Sequence, residues 1–258
     1  MSKKDIVKKK KNEVIYEAKI EETKADKTRR MVSVVMVIMT TILVILSIGS
    51  MYFHFEDKIN NKITKNNNKF KLEYEQYNNK KTDMGKTYLS VNIKGKNIIK
   101  YSSYDEIFKI LENGTGIIYF GFPECPWCRN LVESLLEAAN DVGADKIYYL
   151  NNKNDRDIKK LENNKIVTEE KGTDNYYKLL KRLDSVLGPY EGLNDDNIKR
   201  LYFPTLLFVK NGEIVDYHIG TLSSHDDPFV PLTTDQYNEL KEVIEQKIKK
   251  IIICDEGC

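Results

Sequence analysis

Cys125 and Cys128 enclose Pro126 and Trp127, and the four residues follow an apolar run from Gly116 to Phe122. Thiols at this spacing can close a disulfide, and reversible closure is two-electron chemistry. An amphipathic stretch begins at the pair, with Leu131, Leu135, Leu136, Ala139 and Val142 on one side. That pattern predicts a strand, a turn and a helix whose N-terminus carries the cysteines. Unsatisfied N–H groups and the positive dipole end gather there and favour a thiolate, the nucleophilic form, at Cys125. Cys125 is therefore expected to attack, and Cys128, facing inward, to resolve the mixed disulfide. Pro126 stiffens the first turn where its missing N–H is least felt. Glu124 opposes the Cys125 thiolate by like charge, whereas Arg129, one turn on, supports it. Trp127, the only tryptophan, is expected between the thiols, either as a platform for a peptide or laid on its own domain.

The other two cysteines form a second close pair, Cys254 and Cys258, at the chain's end. On a continuing helix their Cα atoms would lie ~6 Å apart, in the upper part of the range a disulfide tolerates. Outside a membrane such thiols are expected to be oxidised. A terminal clip and a relay exchanging electrons with Cys125/Cys128 both fit. Four cysteines as ligands of one zinc ion are a competing reading. A Cys-x3-Cys terminus and the Pro-Trp interior of the first pair suit it poorly, so neither metal nor cofactor is expected. His54, His218 and His225 share no ligand-like spacing.

The elements that must hold this site belong to a chain of 258 residues and 41% hydrophobic content, enough for one ordinary domain with length to spare. A net charge of +2 gives no global field for nucleic acid. Met31–Phe53 contains no charged residue, and these 23 residues suffice to cross a ~30 Å hydrocarbon layer as a helix. A cleaved signal peptide is the alternative, with Ser47 and Gly49 as the small residues. The run exceeds the ~7–15 residues of a signal core, and a charged segment precedes it. Lys24, Lys27, Arg29 and Arg30 before the span favour a cytoplasmic N-terminus and an extracytoplasmic remainder. Residues 1–30 read as a polar cytoplasmic tail, 31–53 as the anchor, 54–85 as an Asn-rich stalk, and 86–258 as the folded domain.

Within that domain, Thr87–Ile93 and Asn97–Tyr101 read as a hairpin through Lys94-Gly95-Lys96. Ser103 and Glu106 make a capping box before a helix ending at Gly114. Gly116–Phe122 and Lys146–Leu150 are strands, and residues 152–200 read as a mostly helical insert with Tyr176, Leu179, Leu180, Leu183 and Leu187 in register. Asn211-Gly212 turns Thr205–Lys210 back into Glu213–Ile219, and a last helix follows Thr233. The order is β-α-β-α-β, insert, β-β-α.

This order, with Cys125/Cys128 after the central strand and Phe203-Pro204-Thr205 opening the fourth, resembles the thioredoxin superfamily over about Lys86–Ile252. It is most similar to membrane-anchored thioredoxin-like proteins, among them the bacteriocin transport accessory group. The resemblance implies an α/β fold with a central mixed sheet flanked by helices, the insert lying before the strand that Pro204 opens. It implies a cis Pro204 facing the thiols, with Arg200 to Thr205 as the edge that docks a substrate backbone; an ordinary strand-start proline is the other reading of Pro204. It also implies an extracytoplasmic thiol–disulfide oxidoreductase acting on protein or peptide disulfides through an unidentified redox partner. An accessory protein for peptide export, using the groove for docking, is the alternative. One departure stands out: where thioredoxins carry a buried Asp six residues before the first Cys, this chain has Tyr119. Tyr119 is either a core aromatic or part of a proton relay. The insert, Asn175–Gly188 in particular, is expected to narrow substrate choice beside the site or to cap the sheet edge.

Overall fold

A computed structural model describes residues 3–93 and 97–252 and divides the chain into two compact units, meeting at Asn60 and Asn61. In the first unit a helix, α1 (Lys3–Glu75, continuing into the second unit), contains one stretch, Thr23–Lys58, long and apolar enough to cross a membrane. No proline occurs before Pro123, and Gly49 is the only glycine between residues 3 and 75, so nothing in the sequence breaks the helical backbone. α1 stops at Glu75, and the turn that follows closes on Asn79 in a left-handed conformation, φ 60°.

The second unit is a mixed α/β domain. Its sheet has the order β1 (Ile99–Tyr101), β3 (Ile147–Leu150), β2 (Gly116–Phe120), β8 (Thr205–Lys210), β9 (Glu213–Ile219). β3 runs parallel to β1 and β2, while β8 and β9 are antiparallel to their neighbours. β2 and β8 are the buried centre and carry continuous apolar runs, as strands covered on both faces must. The helices α2 (Tyr104–Asn113), α3 (Pro126–Asp141) and α5 (Thr234–Ile252) flank the sheet, α3 and α5 packing together. The expected capping box of α2 is formed, and α5 buries Leu240, Ile244, Ile248 and Ile251. Asn211 and Gly212 both have positive φ, 52° and 83°, the I′ geometry that lets β8 turn directly into β9.

Three stretches differ from the reading of the sequence. The expected stalk, 54–85, is helical as far as Glu75, and Phe70 and Tyr74 are fully buried in the domain core. Phe70 stacks against Tyr74 and meets Tyr149 edge-on, so an aromatic surface on β3 recruits two residues one turn apart. Thr87–Ile93 is not a strand, because side chains at the end of α1 take its polar groups. Asn78 both donates to Val91 O (2.8 Å) and accepts from Val91 N–H (3.0 Å), and Glu75 accepts from Ile93 N–H. The connection at Lys94–Lys96 and the cysteines Cys254 and Cys258 lie outside the described residues.

The insert is only partly helical. It holds a hairpin, β4 (Ile158–Glu162) and β5 (Lys165–Glu170), then α4 (Asp174–Arg182), and a short pair β6 (Gly188–Pro189) and β7 (Lys199–Arg200). Asn163 and Asn164, at φ 49° and 59°, make the hairpin turn, which explains why a charged, exposed stretch extends rather than coils. Of the five residues expected in helical register, Tyr176, Leu179 and Leu183 are buried, Leu180 and Leu187 are half-buried, and α4 ends at Arg182, before Leu183 and Leu187.

Candidate functional site: a thiol pair at a helix N-terminus

β2 ends at Phe120, the chain passes Gly121 to Glu124, and α3 starts at Pro126. Cys125 is the N-cap of α3, and its Sγ accepts a hydrogen bond from the Cys128 N–H at 3.2 Å. The sulfur thereby occupies the position that an Asp or Ser oxygen takes in ordinary caps, facing otherwise unsatisfied donors. Both cysteines are free thiols. They are not equivalent: Cys125 retains 5% of its surface and Cys128 none.

Burial pushes the Cys128 thiol well above its ordinary range, and its contact with Cys125 pushes the same way. Hydrogen bonds from the Phe122 backbone and the Tyr119 hydroxyl pull it back. Tyr119 is fully buried, and its hydroxyl is 2.7 Å from that of Tyr74. Gly121 makes room for this ring, since a Cβ there would stand 2.4 Å from the Tyr119 hydroxyl. A glycine inside an apolar run is the sequence signal for such a close approach. Tyr119 is thus both a core aromatic and a polar neighbour of the inner thiol.

Across the site, the Phe203–Pro204 peptide bond is cis and Pro204 is buried. The Cys125 thiol donates to the Phe203 carbonyl at 3.7 Å, which places the segment before β8 directly against the sulfur. Phe203 meets Phe122 edge-on, 5.2 Å between centroids. The site therefore joins the β2–α3 turn to the segment opening β8.

Pro126 occupies the first turn of α3. Trp127 is half-buried and lies on its own domain, its ring edge-on to His225 at 5.4 Å. His225 is fixed by Thr221 Oγ1 and by the Val230 carbonyl, both at 2.9 Å, so the loop after β9 is a floor for the indole. Asn130 of α3 holds the same loop, donating to Pro228 O and accepting from Leu232 N–H. No spacing of histidines in the sequence revealed this role for His225.

The charges around Cys125 differ from expectation. Arg129 is turned toward backbone carbonyls. It is 3% exposed and donates to the carbonyls of Leu89, Tyr74 and Pro123 and to Asn78 Oδ1. Its guanidinium pins the segment after α1 onto α3, with burial lowering its pKa. Glu124 pairs with Lys153 at 3.3 Å. A further cation comes from the start of the insert, where Arg156 stacks over the Phe203 ring at 4.4 Å. Arg156 carries no signal in the sequence, because 30 or more residues separate it from each of the elements it joins.

Among the described residues no group of three or more His, Cys, Asp or Glu side chains is placed to hold a metal ion. What the arrangement can do is exchange: an outer sulfur at a helix terminus, an inner sulfur behind it, and a backbone carbonyl lining the approach. The chain matches no protein-family model, no curated protein and no solved structure.

Proposed function

We propose that this chain is a membrane-anchored thiol–disulfide oxidoreductase of thioredoxin-like fold, acting on protein or peptide disulfides through Cys125 and Cys128. One observation carries the reading: Cys125 Sγ caps α3 at 3.2 Å from the Cys128 N–H while lying 3.7 Å from the carbonyl of Phe203. A thiol in that position faces the N–H groups of a helix terminus and is flanked by an extended segment that can align a peptide.

In the reducing direction the Cys125 thiolate attacks one sulfur of a client disulfide. A Cys125–client bond forms and the client's other sulfur leaves as a thiolate, which takes up a proton. Cys128 then loses its proton, attacks the Cys125 sulfur and expels the second client thiolate. The Cys125–Cys128 disulfide is formed, and two electrons have passed to the client. The reverse sequence oxidises a client dithiol with the same atoms. Tyr119 acts at the second step, where its hydroxyl can stabilise the negative charge that Cys128 must acquire in a buried place.

The uncharged run Met31–Phe53 within Thr23–Lys58 serves as the anchor, and Lys24, Lys27, Arg29 and Arg30 before that run set the N-terminus in the cytoplasm and the α/β domain outside. Insulin-disulfide reduction by the full chain in detergent micelles tests the activity. With dithiothreitol as the electron donor that re-reduces Cys125–Cys128, wild type should turn over above the dithiothreitol background, and Cys125→Ser should lose at least ~100-fold. Equal turnover by both would leave the accessory-protein reading in its place.

A further inference from the structure

Most cations near the thiols have a carboxylate. Lys153 holds Glu124 at 3.3 Å, Lys159 holds Asp157 at 2.5 Å, and Lys199 holds Asp184 at 3.0 Å. Arg156 and Arg200 are exceptions. Among the described residues neither guanidinium has an ion-pair or hydrogen-bond partner, and the Nε of each is buried without an acceptor. Each lies on an aromatic face instead: Arg156 over Phe203 at 4.4 Å, Arg200 over Tyr190 at 4.2 Å. The acids flanking Arg156 in sequence are used elsewhere, Asp155 accepting from the Tyr104 hydroxyl and Asp157 buried with Lys159.

Two half-buried like charges are unfavourable neighbours. Burial lowers the Arg156 pKa, and repulsion from Arg200 lowers it further. Stacking fixes both planes and leaves their N–H edges for a planar anion. A carboxylate fits those edges in a bidentate manner and relieves the repulsion. Position adds the rest: the carbonyl of Phe203, whose ring carries Arg156, is 3.7 Å from Cys125 Sγ.

We propose that Arg156 and Arg200 form a carboxylate subsite beside Cys125 that selects clients with an acidic group next to the reacting cysteine. The choice of carboxylate rests on the proposed action on peptides, whose anionic groups are Asp and Glu side chains and the C-terminus. The insert thus contributes to specificity through its two ends.

Alkylation of the reduced full chain in detergent micelles tests the subsite without requiring any turnover. Anionic iodoacetate and neutral iodoacetamide form the same kind of S–C bond and expel iodide, so their rate ratio at Cys125, read by mass spectrometry, cancels the thiolate fraction. Against 2-mercaptoethanol as standard, wild type should favour iodoacetate by about fivefold to tenfold, falling in high salt. Arg156→Gln/Arg200→Gln should bring the ratio to within about twofold of the standard, and the double Lys variant should keep most of it. A wild-type ratio equal to the standard, or one unchanged in the Gln variant, overturns the proposal. A second arm uses peptide disulfides with Glu or Gln beside the cysteine and a free or amidated C-terminus. Faster exchange should follow the Glu side chain or the free terminus, whichever is the source; equal rates for all four overturn the substrate assignment. If no peptide exchanges while the iodoacetate preference holds, the subsite stands and the oxidoreductase reading falls.

Discussion

The hydroxyls of Tyr74 and Tyr119 lie 2.7 Å apart in a place from which water is excluded, one from the end of α1 and the other from the central strand β2. Both rings are fully buried, and the Tyr119 hydroxyl is also the polar neighbour of Cys128. The segment that carries Phe70 and Tyr74 is thereby tied, through two hydroxyls, to the inner thiol. Burial holds both tyrosines well above their ordinary pKa, so the pair donates hydrogen bonds and does not act as a base.

Tyr119→Phe removes the bond to a developing Cys128 thiolate, a charge-assisted interaction worth ~1.5–3 kcal/mol. The Cys125–client mixed disulfide should persist about tenfold longer or more, while its formation rate stays within about twofold. Stopped-flow or gel trapping of the intermediate reads this. An unchanged lifetime in a variant of normal melting temperature would reduce Tyr119 to a packing residue.

Cys125 should be the alkylation-sensitive thiol of the pair. It has 5% exposure at a helix N-terminus, whereas Cys128 is enclosed and its pKa is raised by burial. At neutral pH iodoacetamide should label Cys125 at least ~10-fold faster. Cys128→Ser should trap mixed disulfides with clients, and Cys125→Ser should not. Equal trapping by both variants would reverse or dissolve the assigned roles.

Arg129 is a strut for the segment between α1 and β1. Arg129→Met would leave the Leu89, Tyr74 and Pro123 carbonyls and Asn78 short of donors, at a cost of ~2–4 kcal/mol. Limited proteolysis should show cleavage between residues 76 and 93 before cleavage in the sheet. Protection equal to wild type would show that water replaces the guanidinium without loss.

His218 should make the domain acid-sensitive over a defined range. Burial, with Lys247 nearby, lowers its pKa to about 4 from an ordinary 6.5, so the folded state resists protonation. Stability contributed by the neutral imidazole is complete above about pH 6.5 and is lost as pH falls from there toward 4, by ~3 kcal/mol at most. Asp216, whose pKa is lowered by Lys247 and Lys250 against its own burial, adds a loss below the ordinary carboxylate range. His218→Gln should flatten the melting temperature between pH 6.5 and 4.5. A wild-type curve already flat there would discount His218.

The local code of this chain is strong wherever one residue type has one physical role. Ser103 with Glu106 starts α2, Asn211-Gly212 turns the last hairpin, the Leu and Ile spacing of α5 chooses its buried face, and Cys125-Pro126 opens α3. Each of these is decided within a few residues, by backbone sterics, caps or periodicity, and so is legible in the sequence. The apolar stretch inside α1 is legible for the same reason, since length and composition suffice.

Other features exist only after distant segments meet. Phe70 and Tyr74 give no amphipathic stripe among their charged neighbours, and only the aromatic surface of Tyr149 and Tyr119 draws them inside. Thr87–Ile93 has strand-forming residues, yet Asn78 and Glu75 claim its hydrogen bonds first. Arg129 and Arg156 are indistinguishable by residue type; one donates to carbonyls around the start of α3, and the other lies on the Phe203 ring. Sequence alone therefore determined which atoms could do chemistry. Tertiary structure decided which charges and hydroxyls surround them, because those interactions depend on distances that no local pattern encodes.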